Sequence, residues 1–148
     1  MNTFHVRKTG DVILLHLGKD DDMLQCLNQA ITEHKIKNGA VVSMIGTLDK
    51  AQYHMIQTTE DDPTNGFYTV EGSIEVAAGQ GLIIDGEPRI HICMAIPEAS
   101  YLGHLEEGCR VLYLAEIAIE KYSEEELTRK KDSFGIAALS WKERDRTE

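Results

Sequence analysis

Cysteine is scarce in this 148-residue chain. There are three, Cys26, Cys93 and Cys109, widely spaced and without a C-x-x-C pair. An odd, scattered set rules out a disulfide scaffold and points to a reducing compartment, which makes the cytoplasm the expected location. Long apolar runs are missing too, so no membrane-spanning helix is expected. Residues 1–18 lack the basic start, apolar block and small-residue site of a signal peptide. Positive charge is also short: 15 Lys and Arg stand against 25 Asp and Glu, a net charge of -10. Affinity for a phosphate backbone comes from Lys and Arg displacing counterions, so nucleic-acid binding would need a local basic patch. The one basic cluster, Arg129-Lys130-Lys131, follows Glu124-Glu125-Glu126 and reads as a solvated charged face. Neither a strand-GxGxxG-helix motif nor a Walker sequence is present, which leaves a nucleotide fold without support. No internal repeat or low-complexity segment interrupts the chain.

What is present reads as one domain with a sizeable core: 42% of residues are hydrophobic and 27% charged. Residues 4–17 predict two strands about the turn Thr9-Gly10-Asp11. In DDDMLQCLNQAITEHKIKNG, residues Met23, Leu24, Leu27, Ala30 and Ile31 fall at helical spacing. Asp20 to Asp22 provide an N-cap and negative charge at the positive end of the helix, and Asn38-Gly39 provides the expected stop. Beyond it the pattern turns to short β-strands. Asp85-Gly86 is a hairpin turn signal, and Val111, Tyr113, Ala115, Ile117 and Ile119 alternate as one apolar face. Residues 58–66 read as a polar loop. The order predicts an α+β fold with a mostly antiparallel sheet and one main helix. Residues 1–122 form the domain, and 123–148 are a charged C-terminal extension. Within that extension FGIAALSW docks on the domain or covers an edge strand.

The stretch EPRIHICMAIPEASYLGHLEEG carries the candidate chemistry. Two strands, 90–96 and 101–107, joined by a four-residue turn at Pro97-Glu98-Ala99-Ser100, would set Cys93 opposite His104 and His91 opposite Glu106. Directly opposed Cβ atoms lie about 5 Å apart. His91, Cys93, His104 and Glu106 would then share one face, and these are the residue types that hold zinc or another borderline divalent metal. Glu106 would be a fourth ligand or a partner to a ligand. Two other readings stand beside this one. Cys93 could be a nucleophile activated by His104, or the histidines and the thiol could be ordinary hydrogen-bonded and core residues.

Several stretches, taken in order, resemble the plants and prokaryotes conserved (PPC) domain family. They are DDDMLQCLNQAITEHKIKNGAVVSMIGTLDKAQYH, VEGSIEVAAGQG, DGEPRIHICMAI and YLGHLEEGCRVLYLAEIAIE, spanning about residues 4–120. The resemblance implies a seven-stranded antiparallel sheet with flanking helices, assembled as a homotrimer. It also implies a metal site from the H-x-H and G-G-H-L motifs, which fall here on His91, Cys93 and His104. The chain departs from the pattern at Cys93, where the family has His, and at Leu102, where it has Gly. A thiolate is still a good zinc ligand. The family's DNA-binding label transfers poorly. The sequence holds no Arg-Gly-Arg-Pro hook, and the plant partner-binding motif aligns with Gly72-Ser73-Ile74-Glu75-Val76-Ala77, without its Arg.

Three functions follow in order of expectation. The first is a trimeric interaction module with a divalent metal, zinc foremost, linked through a protein partner to transcription. The second is a metal-dependent enzyme on a small substrate, with His91, Cys93 and His104 as ligands and an acidic residue such as Glu106 as base. The third is direct DNA binding. No membrane partner is expected.

Overall fold

The computed structural model describes residues 3–123 and 126–142. Its elements in chain order are β1 (Lys8–Leu17), α1 (Met23–Glu33), β2 (Gly39–Ile56), β3 (Asn65–Ile84), β4 (Glu87–Ile96), β5 (Ala99–Leu105), β6 (Arg110–Tyr122), β7 (Leu127–Lys131) and β8 (Ala137–Trp141). Among the described residues there are one helix and eight strands, and the strand pairings are antiparallel. The balance is therefore mostly β, with eight strands where the sequence predicts about seven and further helical segments. No described helix is long and apolar enough to cross a membrane.

The helix forms where the spacing predicts it. Asp22 caps it, its Oδ1 accepting the Gln25 N–H at 3.0 Å. Met23, Leu27, Ala30 and Ile31 are buried against the sheet, and each large aliphatic side chain so buried is worth about 1.5–3 kcal/mol. The stop comes earlier than Asn38-Gly39. Lys35 takes a left-handed backbone (φ 51°), and the N–H groups of Lys35 and Ile36 reach back to the carbonyls of Thr32 and Ile31. This satisfies the last turn without glycine. Asn38 is instead fully buried at the start of β2, where its Oδ1 accepts the Asp85 N–H at 2.9 Å.

Six strands form one sheet in the order β1-β6-β2-β3-β4-β5, and β5 returns to pair with β2. The long strands β2 and β3 make this possible. The first half of β2 pairs with β6, its last residues pair with β5, and β3 runs along its other side. One end of the sheet is thus closed on itself and the other ends in the free edge of β1. Closure needs a close approach at Gly103. A Cβ there would meet the carbonyl oxygen of His54 and the ring of Tyr53, each at 2.6 Å, so only glycine lets β5 lie against β2.

Several predicted breaks are bulges. Thr9-Gly10-Asp11 is not a reversal: β1 is one strand whose register to β6 shifts between Lys8 and Val12. The segments FYTVEG and SIEVAAGQG are likewise one strand, with Gly72 (φ 133°) in an irregularity between the Lys50↔Glu71 and Leu48↔Ile74 pairs. A bulge absorbs an extra residue while the strand continues. Asp85-Gly86 does form a two-residue hairpin turn, both residues at positive φ (53° and 80°). On β6, Val111, Ala115, Ile117 and Ile119 are buried as the alternation predicts. Tyr113 is 71% exposed, because the β2 register shifts between Gly46 and Leu48 opposite it.

Strands β7 and β8 form a separate hairpin. It adds no strand to the main sheet. Arg129 donates to the carbonyls of Leu82 and Glu87 (3.1 and 3.0 Å), Arg89 donates to Ala137 O (3.1 Å), and Lys142 Nζ donates to Asp85 Oδ1 (2.7 Å). Leu127 is buried and Trp141 packs on Phe4 at a ring separation of 5.5 Å. The remainder of the charged extension, at 124–125 and 143–148, lies outside the described residues.

Candidate metal centre

The centre is built on the outer face of the closed end. Hairpin β4–β5 turns on two residues, Pro97 and Glu98, with Ile96 paired to Ala99. The predicted four-residue turn is therefore corrected, and every pair slides by two residues. His91 stands opposite His104, and Cys93 stands opposite Leu102. A slide of two keeps every side chain on its face, so His91, Cys93 and His104 still share one. Their neighbours change, however. Glu106 lies beyond His104 rather than opposite His91. Cys93 is exposed and stands opposite Leu102, an aliphatic side chain that cannot serve as a base, with His104 diagonal to it rather than opposite.

The closure of β5 onto β2 supplies a residue the sequence reading left without a role. His54 on β2 pairs directly with His104. Three imidazoles thus line up across β4, β5 and β2, with His104 in the middle. The His54 and His104 rings are 4.5 Å apart and nearly parallel; His91 meets His104 edge-on at 5.7 Å. Glu106, two residues past His104, points to the same side. Its Oε1 lies 2.5 Å from His54 Nδ1 and 3.7 Å from His104 Nδ1. Among the described residues, the group of His, Cys, Asp and Glu whose donor atoms all lie within 4.8 Å is His54, His104 and Glu106. All three are half-buried, and the ring of Phe67, opposite His54 on β3, lies 5.5 Å from the His54 ring.

The electrostatics suit a metal ligand. Burial pushes His104 below the ordinary imidazole range, and the neighbouring His54 and His91 push the same way while Glu106 opposes. A neutral imidazole keeps the lone pair that coordination needs. The set of two nitrogens and a carboxylate fits zinc or another borderline divalent ion, and the carboxylate lowers the cost of holding a dication beside partly buried groups. Cys109 belongs to a different environment. It is fully buried, its Sγ and the backbone of Gln52 exchange hydrogen bonds at 3.2 Å, and burial pushes its thiol up to about 11.

His54 was hidden for a physical reason. Its partner is fifty residues away and comes from neither adjacent hairpin. The available signal was the alternation along β2 together with the H-x-E spacing of His104 and Glu106.

The Plants and Prokaryotes Conserved (PCC) domain model matches residues 4–123. The chain belongs to that family. Solved structures agree on the fold of this PCC protein. A plant- and prokaryote-conserved protein from Pyrococcus horikoshii is 23% identical and superposes with a TM-score of 0.77, covering 98% of this chain and 99% of that one. A structure described as a metal-containing protein from Archaeoglobus fulgidus is 19% identical, also at 0.77, covering 97% of this chain and 100% of that one. Among curated proteins, the bifunctional protein GlmU of Synechococcus sp. (strain JA-3-3Ab) is 26% identical over 119 residues, which are 80% of this chain. The PCC protein spans only 18% of that relative's length.

Proposed function

We propose that this PCC protein is a homotrimeric interaction module that holds one divalent metal, zinc foremost, through His104, Glu106 and His54, with His91 completing the set. The convergence of His54, His104 and Glu106 from two strands distant in sequence carries the reading. Such a group is costly to assemble for stability alone, because half-burying adjacent imidazoles and a carboxylate incurs desolvation. The family-pattern set of His91, Cys93 and His104 is the competing ligand assignment. The Archaeoglobus relative, described as metal-containing, supports a metal in either case.

Support for self-association comes from the opposite end of the same outer face. Val12, Leu14 and Ile45 are 55%, 77% and 45% exposed there, and contiguous exposed aliphatics on a sheet mark an interface. Direct DNA binding is disfavoured by the net charge of -10 and by the engagement of Arg129, the first residue of the basic cluster, with two backbone carbonyls. A metal-dependent enzyme is the second reading, favoured by a cleft of about 490 Å³ beside the histidines.

Elemental analysis of protein purified without chelator or histidine tag, alongside light scattering, tests the proposal. Near-stoichiometric metal, lost in His104→Ala and strongly reduced in Glu106→Gln, together with a trimer mass, is the expected result. A metal-free protein that fails to take up added zinc would sink the metal assignment. A monomer at micromolar concentration would sink the trimer.

A further inference from the structure

The C-terminal hairpin lies beyond the 4–123 match to the family model, yet it reaches the histidines. Ile136, at its tip, lines the cleft that also contains His54, His91, His104, Leu102 and Met55. The tip is held firmly. Asp132 Oδ1 accepts the N–H groups of Phe134 (2.9 Å) and Ile136 (3.0 Å), Asp132 N donates to Ile136 O at 2.9 Å, and Gly135 takes the left-handed conformation (φ 79°) that the turn requires. Arg129, midway along the hairpin, is tied to β3 and β4 through the Leu82 and Glu87 carbonyls, and Arg89 of β4 holds the carbonyl of Ala137, beside the tip. Ile136 is therefore presented to the cleft by a fixed support rather than by a loose tail.

The lining of the cleft combines two chemistries. Beside the imidazoles of His54, His91 and His104 the lining holds the aliphatic side chains of Leu102, Met55, Ile56 and Ile136, with Asn65 as its other polar side chain. Among the described residues lining it there is no Lys or Arg. A divalent ion balanced by one carboxylate leaves a single positive charge to be matched. Such a site suits a monoanionic oxygen donor, and nothing in the lining would neutralise the further charges of a phosphate ester. We infer that the cleft binds a small monoanionic oxygen ligand, of the carboxylate or hydroxamate type, carrying a short branched aliphatic group, with Ile136 as the residue that selects for that group. This inference rests on the metal reading above and adds the ligand class and the role of the hairpin.

The test uses the full chain loaded with zinc and titrated calorimetrically with acetohydroxamate and 3-methylbutanohydroxamate. Each buried methylene is worth about fourfold in affinity. The three added carbons in an open cleft are expected to give the branched probe roughly a tenfold advantage. In Ile136→Ala that ratio falls to about threefold or less, while zinc uptake stays unchanged. Phe134→Ala, on the same tip but outside the cleft lining, keeps the wild-type ratio. Equal affinities for the two probes in wild type, or an unchanged ratio in Ile136→Ala, would overturn the inference and leave the metal site standing. Failure of the wild type to take up zinc would overturn the metal reading and this one with it.

Discussion

Strand β2 passes through two different regions. Along its first half Val41 and Met44 are buried in an aliphatic core that includes Leu27 and Ile31 of the helix, and β6 is the neighbour. Along its last residues Tyr53 points inward, stacked on Tyr68 at 5.4 Å and near Tyr101 at 6.3 Å. There β5 is the neighbour, and His54 points outward to the candidate metal centre. One region is backed by a helix and exposes aliphatic side chains. The other closes on itself and exposes imidazoles. The same strand therefore carries the packed core at one end and the candidate ligand His54 at the other, so substitutions at the two ends should have separable effects.

The largest effect is expected in the helix-backed region. Leu27→Ala should cost about 2–5 kcal/mol by loss of buried surface and creation of a cavity, read by urea unfolding. Metal bound per folded protomer should not change. A folded variant that has also lost its metal would break the separation.

At the closed end, Cys109 offers a probe by pH. The folded protein keeps its thiol protonated up to about pH 11, while the unfolded chain ionises from about pH 9. The unfolded state thus holds fewer protons in this window, and stability must fall as pH rises. The contribution is fully present below about pH 9 and declines up to about pH 11, amounting to about 3 kcal/mol for two units. Comparing wild type with Cys109→Ala across that range isolates it: the wild type should show the extra decline. Parallel pH curves would show that the thiol is not held in a desolvated site.

Gly103→Ala sharpens the comparison further. The added methyl has to displace the His54 carbonyl or the Tyr53 ring, at a cost of about 1–3 kcal/mol. Its distinctive result is weakened metal binding at a stability loss smaller than that of Leu27→Ala. Retention of full affinity would mean that the β2–β5 approach does not position the ligands.

The same division explains what could be read from the chain. The cap at Asp22, the helical face of Met23, Leu27, Ala30 and Ile31, and the Asp85-Gly86 turn are local, set within a few residues, and all are found. Errors arose where competing local solutions differ little. Thr9-Gly10-Asp11 can turn or bulge, and Pro97-Glu98 can close a tight hairpin as readily as start a longer one. The hairpin slip was an even number of residues, so His91, Cys93 and His104 kept a common face but lost their expected pairing. His54 and the wall formed by Ile136 depend on contacts far apart in sequence, decided by closure of the sheet and by the Arg129 and Arg89 anchors. No period in the chain encodes those contacts.

The central claim is that sheet closure, by bringing His54 to His104 and Glu106, makes the metal centre. Zinc content per protomer, compared between His54→Ala and Cys93→Ala, tests it most directly. The account predicts that Cys93→Ala keeps the wild-type content while His54→Ala loses most of it. The reverse, with metal retained without His54 and lost without Cys93, would contradict the account and return the site to the β4–β5 hairpin alone.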